Sequence, residues 1–444
     1  THRKFNGHQL FKDIPFVKNQ VSNDPKETVR TAWTRYAKRT PVFRGRKLRI
    51  TTDKLMRGLC KGLYGDPHSI HRLRRDLKTD PAVVQQHYID YLVAFNEKLK
   101  SNPILYQEIN NPIDLYNETL NFVNKKQGKY DEKDDWDTSD KVGQGVASMS
   151  KRVNMLMSAY ARTLLDAFRR ITISQRRNII FATHESDENI ADQITAQLAE
   201  RWKKGEKWFL CDVSEWDASF HASMAGLTRD LCLMIGMPTS IAEWFFQYRL
   251  HWRMVYHSKM GKMKLDGYSK QFSGNPFTIA ENTLCNFAMI NYLFDFTGHV
   301  LSLFKGDDSA VLCRDAIMTT DGSDMLKITQ HKLKMSQTDV GEFAGFFLTP
   351  IGLFPDVVRR TCKFLGAFYR DEAHFNDSKK NVTNACTVVK NQALVELGSL
   401  YVANHYHDRI TKENAKALFN FCKYTAANIP WSDLTAVSKP ILTN

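Results

Sequence analysis

A chain of 444 residues with 43% apolar content is too rich in core-forming side chains for a disordered segment, and large enough for two or three subdomains around one centre. Lys and Arg number 62 against 48 Asp and Glu, a formal charge of +14, which favours polyanionic partners: nucleic acid first, with plain solubility as the second reading of the excess and an anionic membrane surface as the third. The sequence holds no run of about 18 apolar residues, so it is not expected to span a membrane by itself, and eight scattered cysteines without a C-x-x-C pair predict free, mostly buried thiols in a reducing compartment.

The chain begins at Thr1, and is expected to be a piece of a longer product. Residues 1–60 are basic, with Arg44, Arg46, Lys47 and Arg49 clustered in FRGRKLRI. QQHYIDYLVAFNEKLK has an amphipathic helical pattern, and the polar run 124–141 predicts a surface loop or linker. A long helix is expected from Ser148 to about Arg170, then the basic stretch SQRRNIIFAT and a second helix in NIADQITAQLAERW. KWFLCDVSEWDASF is a short apolar strand ending in carboxylates, and the helix after it stops at Gly236 and Pro238. SGNPFTIAENTLCNFAMINYLF predicts a loop followed by a long apolar helix. HVLSLFKGDDSAVLC is two apolar strands around a polar tip, a β-hairpin. HKLKMSQTDVGEFAGFFLTPIG predicts a further turn and strand pair, and the last eighty or so residues are mainly helical.

Two groups of carboxylates stand out: Asp212 and Asp217 in D-x4-D, and Asp307 and Asp308 in G-D-D. A lone G-D-D is usually a surface turn. Here apolar strands flank it, and a second carboxylate strand lies upstream. A strand ending at Asp212 beside a hairpin tip at Asp307 would assemble hard oxygen ligands for Mg²⁺, with Mn²⁺ as a substitute, and two such ions suit nucleotidyl transfer. Gly306 suits the turn into the aspartates. Asp217 lies where strand gives way to helix, so it is a candidate helix cap as well as a site residue.

Ser273, Gly274, Thr278 and Asn282 form S-G-x(3)-T-x(3)-N. Thr278 and Asn282 would share a helix face, where neutral hydrogen-bonding groups suit a ribose 2′-hydroxyl; the bland alternative is a helix start with a buried Asn. Asn286 and Asn291 are expected to be structural. Lys141, Lys151 and Arg152 around KVGQG would compensate a triphosphate, or simply form a solvated charged loop. Arg169, Arg170, Arg176 and Arg177, with Arg44 and Arg46, are candidates for RNA contact, or an ordinary basic face. Lys334, or else Lys332, is a candidate to protonate leaving pyrophosphate.

These motifs resemble, in order, the palm of alphavirus-like positive-strand RNA virus polymerases, and within that group the hepatitis E virus-like (hepevirus) replicases. KVGQGVASMSK (141–151), CDVSEWDASF (211–220), KQFSGNPFTIAENTLCN (270–286), FKGDDSAVLC (304–313), KLKMSQTDVGEFAG (332–345) and LFPDVVRRTCKFLG (353–366) carry the likeness, over about half the chain. Trp216 and Ala218 stand where such chains often have Phe and Ser.

The resemblance implies an α+β right-hand fold: fingers in 1–205 and 236–269, a palm on an antiparallel sheet in 206–235 and 270–362, and a thumb in 363–444. It implies an RNA-dependent RNA polymerase with Asp212, Asp307 and Asp308 at the metal centre. Asp217 and Asn282 would read the ribose, Ser273, Gly274 and Thr278 would lie near the incoming nucleotide, and Lys141, Lys151 and Arg152 would contact the triphosphate. Template and nascent RNA, ribonucleoside triphosphates, and helicase and capping domains of a replicase polyprotein would be its partners. Its setting would be the host cytoplasm, in membrane-associated replication complexes anchored through other regions. A reverse transcriptase or DNA polymerase shares the carboxylate chemistry, but Gly306 and Asn282 favour ribonucleotides. A non-catalytic RNA-binding scaffold would have no need of all three aspartates.

Overall fold

The computed structural model describes residues 2–5, 17–18, 25–37, 42–100, 118–124, 129–130, 145–175, 178–183, 185–202, 205–214, 216–258 and 261–437. In chain order the elements that build the site are helix α1 (Gly45–Tyr64), strands β1 (Leu120–Asn124) and β2 (Gly145–Ser148), helix α2 (Lys151–Ser174), strand β3 (Ile179–Phe181), helix α3 (Asp187–Arg201) and strand β4 (Lys207–Val213). Helices α4 (Ala222–Met234) and α5 (Thr239–Leu250), strands β5 (His251–Ser258) and β6 (Gly261–Tyr268), and helix α6 (Thr278–Leu293) follow. Then come strands β7 (Leu301–Lys305), β8 (Asp308–Cys313), β9 (Leu333–Thr338), β10 (Gly341–Phe343), β11 (Phe346–Thr349) and β12 (Gly352–Pro355). Helices α7 (Val357–Leu365), α8 (Glu372–Ala385), α9 (Gln392–His405) and α10 (Lys412–Asn420) complete the set.

The central sheet has five strands in the order β9-β4-β8-β7-β3. Three neighbouring pairs are antiparallel, and β3 joins β7 in parallel. Strand β4 shows why the order holds. Its residues alternate between faces. Phe209, Cys211 and Val213 enter a core shared with α1, α2, α4 and α6, and Trp208 enters a second core with Leu301, Leu303, Ala310 and Leu312. A strand covered on both faces reads as a continuous apolar run, as KWFLCDV does until Asp212.

Helix α6 backs one face of this sheet. TIAENTLCNFAMINYL has no Gly or Pro to break it, and twelve of its sixteen residues are buried. The second core continues into the three-stranded sheet β10-β11-β12 and helices α7 to α10. Strands β5 and β6, from the 236–269 insertion, join β1 and β2 in a four-stranded sheet. Residues 251–268 thus pair with the N-terminal part of the chain, while α5 packs against α4.

Two details differ from the sequence reading. Strand β3 lies before residue 206 yet pairs with β7, so the main sheet is mixed rather than purely antiparallel. The segment after His331 splits: β9 completes the main sheet beside β4, while β10 starts the smaller one. Periodicity within each short run could not show which neighbour it would pair with. All eight cysteines are free and buried, as expected.

Candidate active site

The β7–β8 hairpin carries Gly306 and Asp307 at its tip, with Lys305 paired to Asp308. Gly306 has φ +64, the left-handed conformation that favours glycine. Helix α6 holds the tip from below. The Gly306 N–H donates to Thr283 Oγ1 at 2.9 Å, and the Asn286 Nδ2 donates to the carbonyls of Asp307 (2.9 Å) and Gly306 (3.3 Å). Ser309 Oγ donates to the Cys211 carbonyl at 2.9 Å, tying the hairpin to β4.

Strand register brings the carboxylates together. Ala310 pairs with Leu210 and Val311 with Phe209, so the same register carried two residues further sets Asp308 across from Asp212. On the other side of β4, Lys334 pairs with Asp212. Directly opposed residues share a face of the sheet. Lys334 Nζ stands 4.0 Å from Asp212 Oδ2, a weak pair because both side chains are mostly exposed.

Asp307 and Asp308 are exposed at the tip, yet protein packed around it removes part of their hydration. That desolvation pushes the Asp308 carboxyl up to about 6, with repulsion from Asp307 and Asp212 adding to it. Arg359 and the Ala344 N–H pull the other way. Desolvation likewise raises Asp307, with a contribution from Asp212. Three carboxylates thus face water and one another with their charge poorly compensated. Among the described residues no three acidic, His or Cys side chains form a complete cage for an ion. An all-oxygen site completed by phosphates and water needs no such cage.

Asp217 lies inside the short helix Trp216–Ser219, not at its cap, and its carbonyl accepts from the Gln271 N–H at 3.1 Å. Its charge is felt by the buried Tyr36 hydroxyl, which burial chiefly raises. Ser273 Oγ donates to the Gly145 carbonyl at 3.1 Å, and Gly274 forms a bridge with Ser148 of β2. A Cβ on Gly274 would fall 2.6 Å from the Ala147 carbonyl oxygen and 2.7 Å from the Ser148 Cα. Thr278 Oγ1 bonds the carbonyls of Asn275 (2.6 Å) and Phe272 (2.7 Å), closing the loop at the start of α6. Asn282 is buried one turn further on, its Oδ1 accepting from Gln271 Nε2 at 2.6 Å.

Lys151 and Arg152 open α2 behind the cap Ser150, which accepts from the Val153 N–H. Arg169 is engaged by Glu185, whereas Arg170, Arg44 and Arg46 are exposed. Arg44 also stacks over Tyr268 at 5.6 Å. Lys141, Arg176 and Arg177 lie outside the described residues. Sequence reasoning missed Thr283, Gln271 and Arg359. Gln271 directly precedes the S-G loop in FSGNP, and that position was its only available signal. Thr283 and Arg359 reach the hairpin only through the tertiary fold.

The family described as RNA dependent RNA polymerase matches residues 70–428. The chain is 29% identical over 220 residues to the non-structural polyprotein pORF1 of hepatitis E virus genotype 1 (isolate Human/Burma), and 28% identical over 220 residues to that of genotype 3 (isolate Swine/United States/swUS1). Each match covers 49% of this chain and 12% of the polyprotein, so the chain spans a small part of these relatives. The crystal structure of the insertion loop deletion mutant of a human picobirnavirus RNA-dependent RNA polymerase overlays with a TM-score of 0.44 at 14% identity, covering 70% of this chain and 58% of that one. Divalent metal dependence is general to the matched family. The chain belongs to the RNA-dependent RNA polymerase family.

Proposed function

We propose that this chain copies a viral RNA genome by adding ribonucleotides to an RNA 3′-hydroxyl and releasing pyrophosphate. The observation that carries this is the convergence of Asp212 and Asp308 on one sheet face by strand register, with Asp307 beside them on a glycine turn. Their donor set suits Mg²⁺, or Mn²⁺ in its place, because both take carboxylate and phosphate oxygens. Mutual repulsion among the three supports the same reading, since a bound dication relieves it. Asp212, Asp307 and Asp308 would hold two such ions, whose chemistry would be to activate the attacking hydroxyl and offset charge on the attacking and leaving oxygens.

The chain's own groups complete the reaction. Asp217 and Asn282 bind the ribose, and the Ser273–Gly274 loop and Thr278 shape the floor under it. Lys141, Lys151 and Arg152 attract the triphosphate. Lys334, beside Asp212, is suited to give a proton to the departing pyrophosphate, with Lys332 as the other candidate. Exposed Arg44, Arg46 and Arg170 hold RNA through its phosphates, with Arg169, Arg176 and Arg177 in the same role. Fingers in 1–205 and 236–269, palm in 206–235 and 270–362, and thumb in 363–444 divide this labour. Helicase and capping domains, and a membrane-associated cytoplasmic setting in the host cell, belong to the same proposal, as the relatives are polyproteins.

The test is incorporation of labelled ribonucleotides by purified protein on a defined RNA. Extension is expected with Mg²⁺ and none with excess chelator. Extension unaffected by chelator would overturn the metal-centred reading.

A further inference from the structure

Beneath the ribose-reading positions lies a buried polar network whose members are almost fully fixed in orientation. Arg249 and Glu281 form an ion pair at 2.7 Å with side-chain exposures of 2% and 0%. Thr228 Oγ1 donates to the other Glu281 oxygen at 2.7 Å. Gln271, fully buried, sits against this pair. Its Nε2 donates to Glu281 Oε2 at 2.8 Å, and its Oε1 accepts from Arg249 Nη2 at 3.0 Å and from the Phe272 N–H at 3.2 Å.

The chemistry of these partners decides which way the Gln271 amide faces. A carboxylate can only accept, and a guanidinium or a main-chain N–H can only donate. The Gln271 nitrogen must therefore face Glu281, and its oxygen Arg249. That nitrogen has a second hydrogen, and it lies 2.6 Å from the Asn282 amide. A donor there requires an acceptor opposite, so the Asn282 oxygen is turned inward and its nitrogen outward. No hydrogen bond among the described residues uses that outward Nδ2, and Asn282 keeps 6% of its surface exposed. The Gln271 main-chain N–H also holds the Asp217 carbonyl at 3.1 Å, and Lys270 Nζ holds the Ala218 carbonyl at 2.6 Å.

We infer that Gln271 is a positioning residue for sugar selection: it relays the fixed polarity of the Arg249–Glu281 pair to Asn282, so that Asn282 presents a hydrogen-bond donor to the ribose 2′-oxygen, and it clamps the segment that carries Asp217. The inference rests on the polymerase reading and deepens it. Without Gln271 the Asn282 amide is free to turn over and offer its oxygen, and the preference for a 2′-hydroxyl weakens.

Single-nucleotide incorporation with ribonucleotide and matching deoxynucleotide triphosphates tests this through the ratio of their kcat/KM values. Gln271→Leu is expected to lower that ratio about tenfold, the scale of one enclosed polar group losing its partner. In an Asn282→Ala background the same change is expected to leave the ratio where Asn282→Ala alone puts it, because Gln271 acts through Asn282. A purely structural role would slow both nucleotides alike and leave the ratio unmoved. Asn282→Asp keeps the shape and the inward acceptor but replaces the outward donor with an oxygen. It carries the test if Gln271→Leu does not fold, and it too is expected to lose the ribose preference. An unchanged ratio in an active Gln271→Leu protein, ratio effects that multiply in the double variant, or a full ribose preference in Asn282→Asp would overturn the inference. Failure of the unaltered chain to incorporate any nucleotide would instead overturn the polymerase reading.

Discussion

Asn286, in the middle of helix α6, donates its side-chain amide to the main-chain carbonyl of Asp307 at 2.9 Å. The carboxylate hairpin is thus seated on the helix that also carries Asn282, and Thr283 adds a second bond through the Gly306 N–H. Removing either support leaves main-chain groups of the tip unpaired at a buried junction. Asn286→Leu and Thr283→Val are each expected to cost about 1–3 kcal/mol in chemical denaturation. Displacement of the aspartates by even a fraction of an ångström is expected to lower kcat about 10–100-fold under conditions where the variant is still folded. Wild-type kcat in a folded Asn286→Leu protein would show that the seat does not position the aspartates.

Gly274 lies where the loop before α6 meets strand β2. An alanine Cβ there would sit 2.6 Å from a main-chain oxygen and 2.7 Å from a Cα, neither of which can swing aside as a side chain can. Gly274→Ala is expected to separate loop from strand, destabilising the fold by about 1–3 kcal/mol and raising KM for nucleotides. Thermal unfolding and steady-state kinetics would show it. A variant with unchanged Tm and KM would contradict the close approach.

The raised Asp308 carboxyl, at about 6, gives a pH signature. Below that value the group holds a proton that a cation must displace, so Mg²⁺ affinity is expected to weaken steadily as pH falls from 7 to 5. In the metal-free protein the same shift has the opposite sense for stability. The folded value lies above the unfolded value of about 3.9, so the contribution of this group to stability is present at low pH and is lost as pH rises through about 6. Calorimetric titration with Mg²⁺ across this range is the check, and a pH-independent affinity would count against the crowded-carboxylate account.

RNA binding through phosphates releases counterions, so log K is expected to fall linearly with log salt, by about 0.7 per contact for single strands. Arg44 and Arg46 are exposed. Replacing both with Ala is expected to shallow the slope by roughly 1–1.5 without changing any sequence preference. A slope that is flat in the unaltered protein would reject phosphate contacts as the main source of affinity.

The legible parts of this chain are those written in short local patterns. Asp212 ends a strand buried on both faces, and G-D-D breaks two apolar runs, so strand, hairpin and their carboxylates could all be located from sequence. The long apolar helix after Ser273–Gly274 was equally plain. Other parts depend on partners far away in the chain. Ile179–Phe181 carries no sign of pairing in parallel with β7. Gln271 looks like one polar residue among several until Arg249 and Glu281 are set beside it. Asn286 could be read as structural, but not as the support of Asp307, because helix periodicity does not say which turn of the chain crosses above it.

The central claim is that Asp307 belongs to a metal-dependent nucleotidyl transfer centre. Asp307→Asn keeps the size of the side chain and removes one charge from a cluster of three. The most direct measurement compares this variant with the unaltered protein for single-ribonucleotide addition to a primed RNA in Mg²⁺, with RNA affinity and Tm measured on the same samples. The expected result is near-complete loss of addition with RNA binding and folding largely retained. Full-rate addition by the folded Asp307→Asn protein would contradict the account.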